Sequence, residues 1–252
     1  MSGRGLCGGI SKALFVGQIV YLPIVWWPTR AISVPATSDE VRPEQRSARY
    51  VFYFFLPLGL SSAILAGAEP AVQAAIARAP LAIPSLAAAP ICTSLTWLAG
   101  VPLWNIQQLV IARVADRASY LAVRRFVFTV STVLTSAMGL IALPEIKEVV
   151  FGTLLGLDGE IKRLAIEGYR LFCISPFFMG WRSFYHGALI GKSHTAPIRS
   201  AAIARLLVLL CTLGGLVLYS QLNGLMVAIW AMLASAVAEV VYLGWHVRRL
   251  RW

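Results

Sequence analysis

Six stretches of this chain are each long and apolar enough to cross a lipid bilayer, and no other feature limits the fold as much. They cover approximately residues 51 to 77, 83 to 110, 126 to 143, 169 to 190, 201 to 220 and 224 to 246. A hydrocarbon core of about 30 Å takes about 20 helical residues. In lipid the backbone must satisfy its hydrogen bonds within a helix or a closed barrel. The runs are continuous, without the in-out alternation of a membrane barrel. The expected fold is therefore an all-α integral membrane protein built as a six-helix transmembrane bundle. The segments 51 to 77 and 83 to 110 exceed the minimum length, so they should tilt or kink, and Pro57 and Pro102 are the expected sites.

Composition agrees with burial in lipid, because only 13% of residues are charged against about a quarter in soluble domains. The net charge of +11 does not indicate nucleic acid, since the basic residues lie in short clusters between apolar runs and not on one continuous face. Cys7, Cys92, Cys173 and Cys211 form no C-x-x-C pair and read as small buried apolar residues, with no metal or cofactor expected.

Residues 1 to 27 form a candidate N-terminal transmembrane helix, with an apolar core over 10 to 27 that carries Lys12 and Pro23. It ends in Trp26, Trp27 and Pro28, not in a small-residue cleavage site, so it is expected to remain in the mature chain. Residues 28 to 50, with Pro28, Pro35, Pro43 and mixed charge, read as a cytoplasmic linker, and residues 51 to 252 as the six-helix lobe. The loop 144 to 168 interleaves apolar and charged residues and should include a short interfacial helix.

From residue 28 onward, one side of the expected topology collects 13 Lys and Arg: Arg30, Arg42, Arg46, Arg49, Arg113, Arg117, Arg124, Arg125, Lys192, Arg199, Arg248, Arg249 and Arg251. The other side collects four: Arg78, Lys147, Lys162 and Arg163. By the positive-inside rule the first side, with the C-terminus, is cytoplasmic, and the expected location is a bacterial inner (plasma) membrane.

The chain carries no H-E-x-x-H, G-x-S-x-G or G-x-x-x-x-G-K-[ST] motif and no paired acids at helical spacing within the spans, so an enzyme is not expected. Charged residues inside the spans carry the functional signal, because each costs about 2.5 to 3.5 kcal/mol at the helix centre on insertion scales and faces protein or water. Glu69, Arg182, Arg205 and Glu239 qualify. Arg182 lies near the middle of 169 to 190, too deep to snorkel easily, with His186 one turn on and Arg205 at the start of the following span. A basic lining of this kind favours an anionic solute or headgroup. The plain alternative is an ion pair between Arg182 and Glu239 or Glu69 that only joins helices. Glu69, followed by Pro70, is a candidate cation-coupling acid or simply a wet acid near the outer surface. Glu239, deeper than the Tyr242 to Trp245 belt, is either a second coupling acid or an arginine partner. The amides of Asn105, Gln107 and Gln108 line the same cavity or bond between helices.

The order of these features resembles one lobe of the MATE-like (MOP) flippase superfamily over residues 50 to 250. The resemblance rests on FFLPLGLSS at Phe54 to Ser62 after a basic linker, on VPLWNIQQLVIARVADRASYLAVRRF running into a basic loop, and on Pro176 followed by GALIGKSHT at Gly187 to Thr195. The arginine before the G-x-L turn and the sequence FGTLLGLDGEIKRLA look closest to progressive-ankylosis-type proteins. This implies export of an organic or phosphate-containing anion. Drug-exporting relatives would typically place an acid near Met179, where none stands, which speaks against sodium-coupled drug export. The resemblance also implies a second lobe with the cleft between the two, so the expected partner is another chain or a second copy. The expected function is transport of a small anionic or amphipathic solute by alternating access, with lipid-linked headgroup flipping as a variant and a non-transporting subunit or inactive half as the rival.

Overall fold

The computed structural model describes residues 66–192, 194 and 196–249. The chain divides into two units, residues 1–52 and 53–252, and everything described here belongs to the second. Residues 10 to 27, the linker 28 to 50 and the greater part of the 51 to 77 span lie outside the described residues.

Among the described residues the structure is all-helical. In chain order the elements are α1 (Ala68–Arg78), α2 (Ala82–Arg113), α3 (Arg117–Ile141), the single turn α4 (Pro144–Lys147), a π-helical stretch (Glu148–Leu154), α5 (Gly159–Phe172), α6 (Ser175–Gly191), α7 (Ala196–Tyr219) and α8 (Gly224–Arg248). Four of them, α2, α3, α7 and α8, are long and apolar enough to cross a membrane, in keeping with an integral membrane protein. They correspond to the spans expected over 83 to 110, 126 to 143, 201 to 220 and 224 to 246.

The expected span 169 to 190 is not one continuous helix. The helix breaks at Cys173 and Ile174, and α6 has 17 residues, about 25 Å at 1.5 Å per residue. Pro176 is the physical cause, since its ring clashes with the carbonyl four residues back, that of Phe172, and its missing N–H deprives that carbonyl of a donor. The same chemistry operates where α1 opens after a turn at Gly67, since Pro70 stands four residues after Ala66. By contrast α2 runs continuously through Pro90 and Pro102.

The short interfacial helix expected in the 144 to 168 loop is α5, and it is packed into the bundle. Leu164, Ala165, Tyr169 and Phe172 are buried in a cluster with Ala88 and Cys92 of α2 and Leu225 and Ile229 of α8. The Tyr169 hydroxyl donates to the Met138 carbonyl at 3.1 Å.

Half of the apolar stretch of α8 is buried in protein but only 11% of that of α3, which makes α8 the central helix and α3 a peripheral one. The close approach of α2 and α6 depends on glycine, since a Cβ on Gly187 would lie 2.7 Å from the Gln107 carbonyl oxygen and 2.7 Å from Val110 Cβ. Small residues are what allow membrane helices to pack backbone to backbone.

A hydrogen bond ties neighbouring loops together at each end of the bundle. At one end Lys192 Nζ donates to the Ala115 carbonyl at 3.4 Å, which joins the α6–α7 loop to the Arg113–Arg117 loop. At the other end the Gly224 amide donates to the Pro80 carbonyl at 3.0 Å, joining the α7–α8 turn to the α1–α2 turn. Leu81 in that second turn has a left-handed backbone, φ 56° and ψ 42°, a conformation costing about 1–2 kcal/mol in a residue with a Cβ.

Candidate functional site

Two helices bring three cationic or titratable side chains to one carboxylate on a third. Glu239 of α8 is only 1% exposed. Arg182 of α6 donates from Nε to Glu239 Oε1 at 2.8 Å, and Arg205 of α7 donates from Nη1 to Oε2 at 2.9 Å. His186, one turn after Arg182, holds Nε2 at 3.5 Å from Oε1. That is long for a hydrogen bond, and Nε2 has no hydrogen-bond partner among the described residues. The helical period puts Arg182 and His186 on one face of α6. Arg205 is well inside α7, which begins at Ala196, and not at its opening as expected.

Charge does not cancel here. Two guanidiniums meet one carboxylate, and with His186 neutral the cluster carries a net charge of +1. Each guanidinium has five N–H donors, and each spends one on Glu239. Arg182 and Arg205 line a cavity of about 640 Å³, while Glu239 and His186 stand behind that wall. Both oxygens of Glu239 are held by arginine, one hydrogen bond to each.

The same cavity is lined by Glu69, in the first turn of α1. Glu69 is exposed and accepts a 3.4 Å hydrogen bond from Gln73 Nε2. Together with Val72, Thr93, Phe172 and Met232, it also lines a smaller cavity of about 220 Å³.

The amide row does not join this site. Asn105, Gln107 and Gln108 are absent from the described lining of both cavities. Asn105 is exposed and its side chain donates to the Val101 carbonyl of its own helix at 3.3 Å.

Several lining residues were missed in the sequence. Trp97 and Trp104 face the cavity and meet edge to face with ring centroids 4.7 Å apart. Their spacing of seven residues, with Thr93 and Thr96 on the same side, is the helical stripe that would have revealed them. On α6, Ser175 also lies seven residues before Arg182. It lines the cavity, is 7% exposed, and its hydroxyl has no hydrogen-bond partner among the described residues.

Among the described residues no group of three or more His, Cys, Asp and Glu side chains is placed to hold a metal ion. What the arrangement offers is a largely apolar chamber with unbalanced positive charge on one wall. Comparison with protein-family models, characterised proteins and solved structures finds no match for this chain.

Proposed function

We propose that this chain is one half of a membrane transporter or flippase, moving a small anionic or amphipathic solute by alternating access, and that Arg182 and Arg205 receive the solute's negative group. The observation that carries this reading is the unneutralised positive charge on the wall of the 640 Å³ cavity. A volume of that size falls in the range of small-molecule sites, about 300–1,000 Å³. A guanidinium cannot deprotonate to relieve its burial, so the local excess charge is balanced by water, by a bound anion or at longer range by Glu69 on the same cavity.

The proposed orientation places the Arg113–Arg117 loop, Lys192 and the C-terminus in the cytoplasm, since the Lys and Arg side chains concentrate there. In a cysteine-free background, a cysteine at Leu155 should react with a membrane-impermeant maleimide added outside and one at Trp252 should not. The reverse pattern would overturn the orientation.

Transport is tested on the purified chain in vesicles by uptake of labelled hexyl phosphate, a small amphipathic anion, together with measurement of whether the chain is monomeric or paired. Saturable uptake that Arg182→Gln abolishes without loss of folded protein supports the reading. Uptake no faster than in empty vesicles points to a non-transporting subunit or a half that needs another chain, and equal uptake by Arg182→Gln removes the arginines from the solute site.

A further inference from the structure

The cavity carries opposite charges at separate places. Glu69, Thr93 and Met232 line both the larger and the smaller cavity and so mark the region where the two meet. Arg182 and Arg205 line only the larger one, beside Ala236 and Val240 of α8 and next to their partner Glu239. Met232 and Glu239 are seven residues apart on α8, about 10 Å along the axis at 1.5 Å per residue. Negative charge therefore stands roughly two turns from the positive cluster. Among the described residues no cation pairs with Glu69, whose hydrogen bond comes from the neutral Gln73. Trp97 and Trp104 add aromatic surface to the same chamber, and aromatic faces attract ammonium groups.

A simple anion would use the arginines and leave Glu69 as a repelling charge in the same space. A solute carrying an anionic group and a cationic group satisfies both ends. We propose that the site takes a zwitterion, whose phosphate or carboxylate meets Arg182 and Arg205 and whose amine or quaternary ammonium meets Glu69, with Trp97 and Trp104 against its body. This rests on the anion-binding reading above and narrows its substrate class.

The test compares hexyl phosphocholine with hexyl phosphate, which share a tail and a phosphate and differ in the ammonium group, by calorimetric titration into the full chain in lipid nanodiscs. Wild type should bind hexyl phosphocholine at least about tenfold more tightly than hexyl phosphate. Glu69→Gln should bring that ratio close to one by weakening the zwitterion, and Arg182→Gln should weaken both ligands. Glu69 is exposed, so its amide variant is expected to fold, and thermal unfolding checks this.

If wild type binds both ligands equally, or if Glu69→Gln keeps the preference, the zwitterion inference is overturned while the anion site stands. If neither ligand binds, or Arg182→Gln binds both as wild type does, the anion reading falls and this inference with it. Free phosphocholine distinguishes the source, since affinity equal to that of the hexyl ester assigns the site to a soluble zwitterion, and weaker binding assigns it to a lipid headgroup; both outcomes support the charge assignment.

Discussion

Arg205 occupies the oxygen of Glu239 that Arg182 leaves open, so that one buried carboxylate joins α6, α7 and α8 through bonds of 2.8 and 2.9 Å. The three residues are not equivalent in this arrangement. Glu239→Gln leaves two guanidiniums without their counter-ion and should cost about 3–5 kcal/mol, the usual result of breaking a buried pair from one side. Each single arginine change leaves Glu239 one partner and should cost less, about 1.5–3 kcal/mol for one charge-assisted hydrogen bond. Thermal unfolding in detergent or nanodiscs ranks them. A Glu239→Gln variant as stable as Arg182→Gln would show that the carboxylate does not hold the helices.

That ranking allows Arg182 to be both a structural partner and a solute ligand, and it separates the two roles. Arg182→Gln takes the cluster from +1 to neutral while Arg205 still holds Glu239. Affinity for hexyl phosphate should fall about tenfold or more, with the protein still folded. Arg182→Lys keeps the charge but loses the planar fork, so it should bind the anion at intermediate strength. Titration calorimetry on both variants checks the order, and equal affinity across wild type, lysine and glutamine would rule out contact with the anion.

The charged cluster was legible because burial of charge in lipid is expensive. Arg182, Arg205 and Glu239 stand out in apolar runs, and a residue that cannot stay unpaired there must find a partner. What could not be read was their multiplicity. Pairing rules allow Arg182 to meet Glu239 or Glu69, and only helix packing settles that two arginines converge on Glu239. Spans were legible where the apolar run has no internal break, as in α7 and α8. The break before α6 was harder to see, because Pro90, Pro102 and Pro176 look alike in sequence, yet the first two sit within a continuous helix. Neighbouring packing decides which freed carbonyl is accommodated. Trp97 and Trp104 were overlooked because aromatic residues in a lipid-facing run carry no signal until their common face is known.

Gly187 and Gly214 make a matched pair for testing the α2–α6 contact. A Cβ at Gly187 would press on the Gln107 carbonyl at 2.7 Å, whereas one at Gly214 of α7 would meet nothing within 4 Å. Gly187→Ala should destabilise by about 1–3 kcal/mol through overpacking. Gly214→Ala should be neutral or stabilising by up to about 1 kcal/mol from helix propensity. Thermal unfolding compares them, and a neutral Gly187→Ala would mean that the two helices separate at little cost.

The start of α3, outside the apolar spans, should respond to pH through its cap residue Asp116. Asp116 accepts from the Ser119 amide at 2.8 Å and from the Ser119 hydroxyl at 2.5 Å, while the Asp116 amide donates back to the Ser119 hydroxyl, closing a capping box. The side-chain and backbone hydrogen bonds from Ser119 stabilise the carboxylate and lower its pKa below the ordinary 3.8. A carboxyl whose folded pKa is depressed contributes stability in full above its unfolded value and loses it as pH falls through the folded value. The cap should therefore hold at neutral pH and weaken only below about pH 4. Hydrogen exchange at the Ser119 amide, measured against pH and normalised to the intrinsic rate, should show protection that is constant from pH 7 to 5 and declines under more acid conditions. Asp116→Ala removes the acceptor and should leave Ser119 less protected at pH 7, with the acid decline gone. Protection that stays level from pH 7 down to pH 2 in the wild type would mean that the carboxylate does not hold this end of the helix.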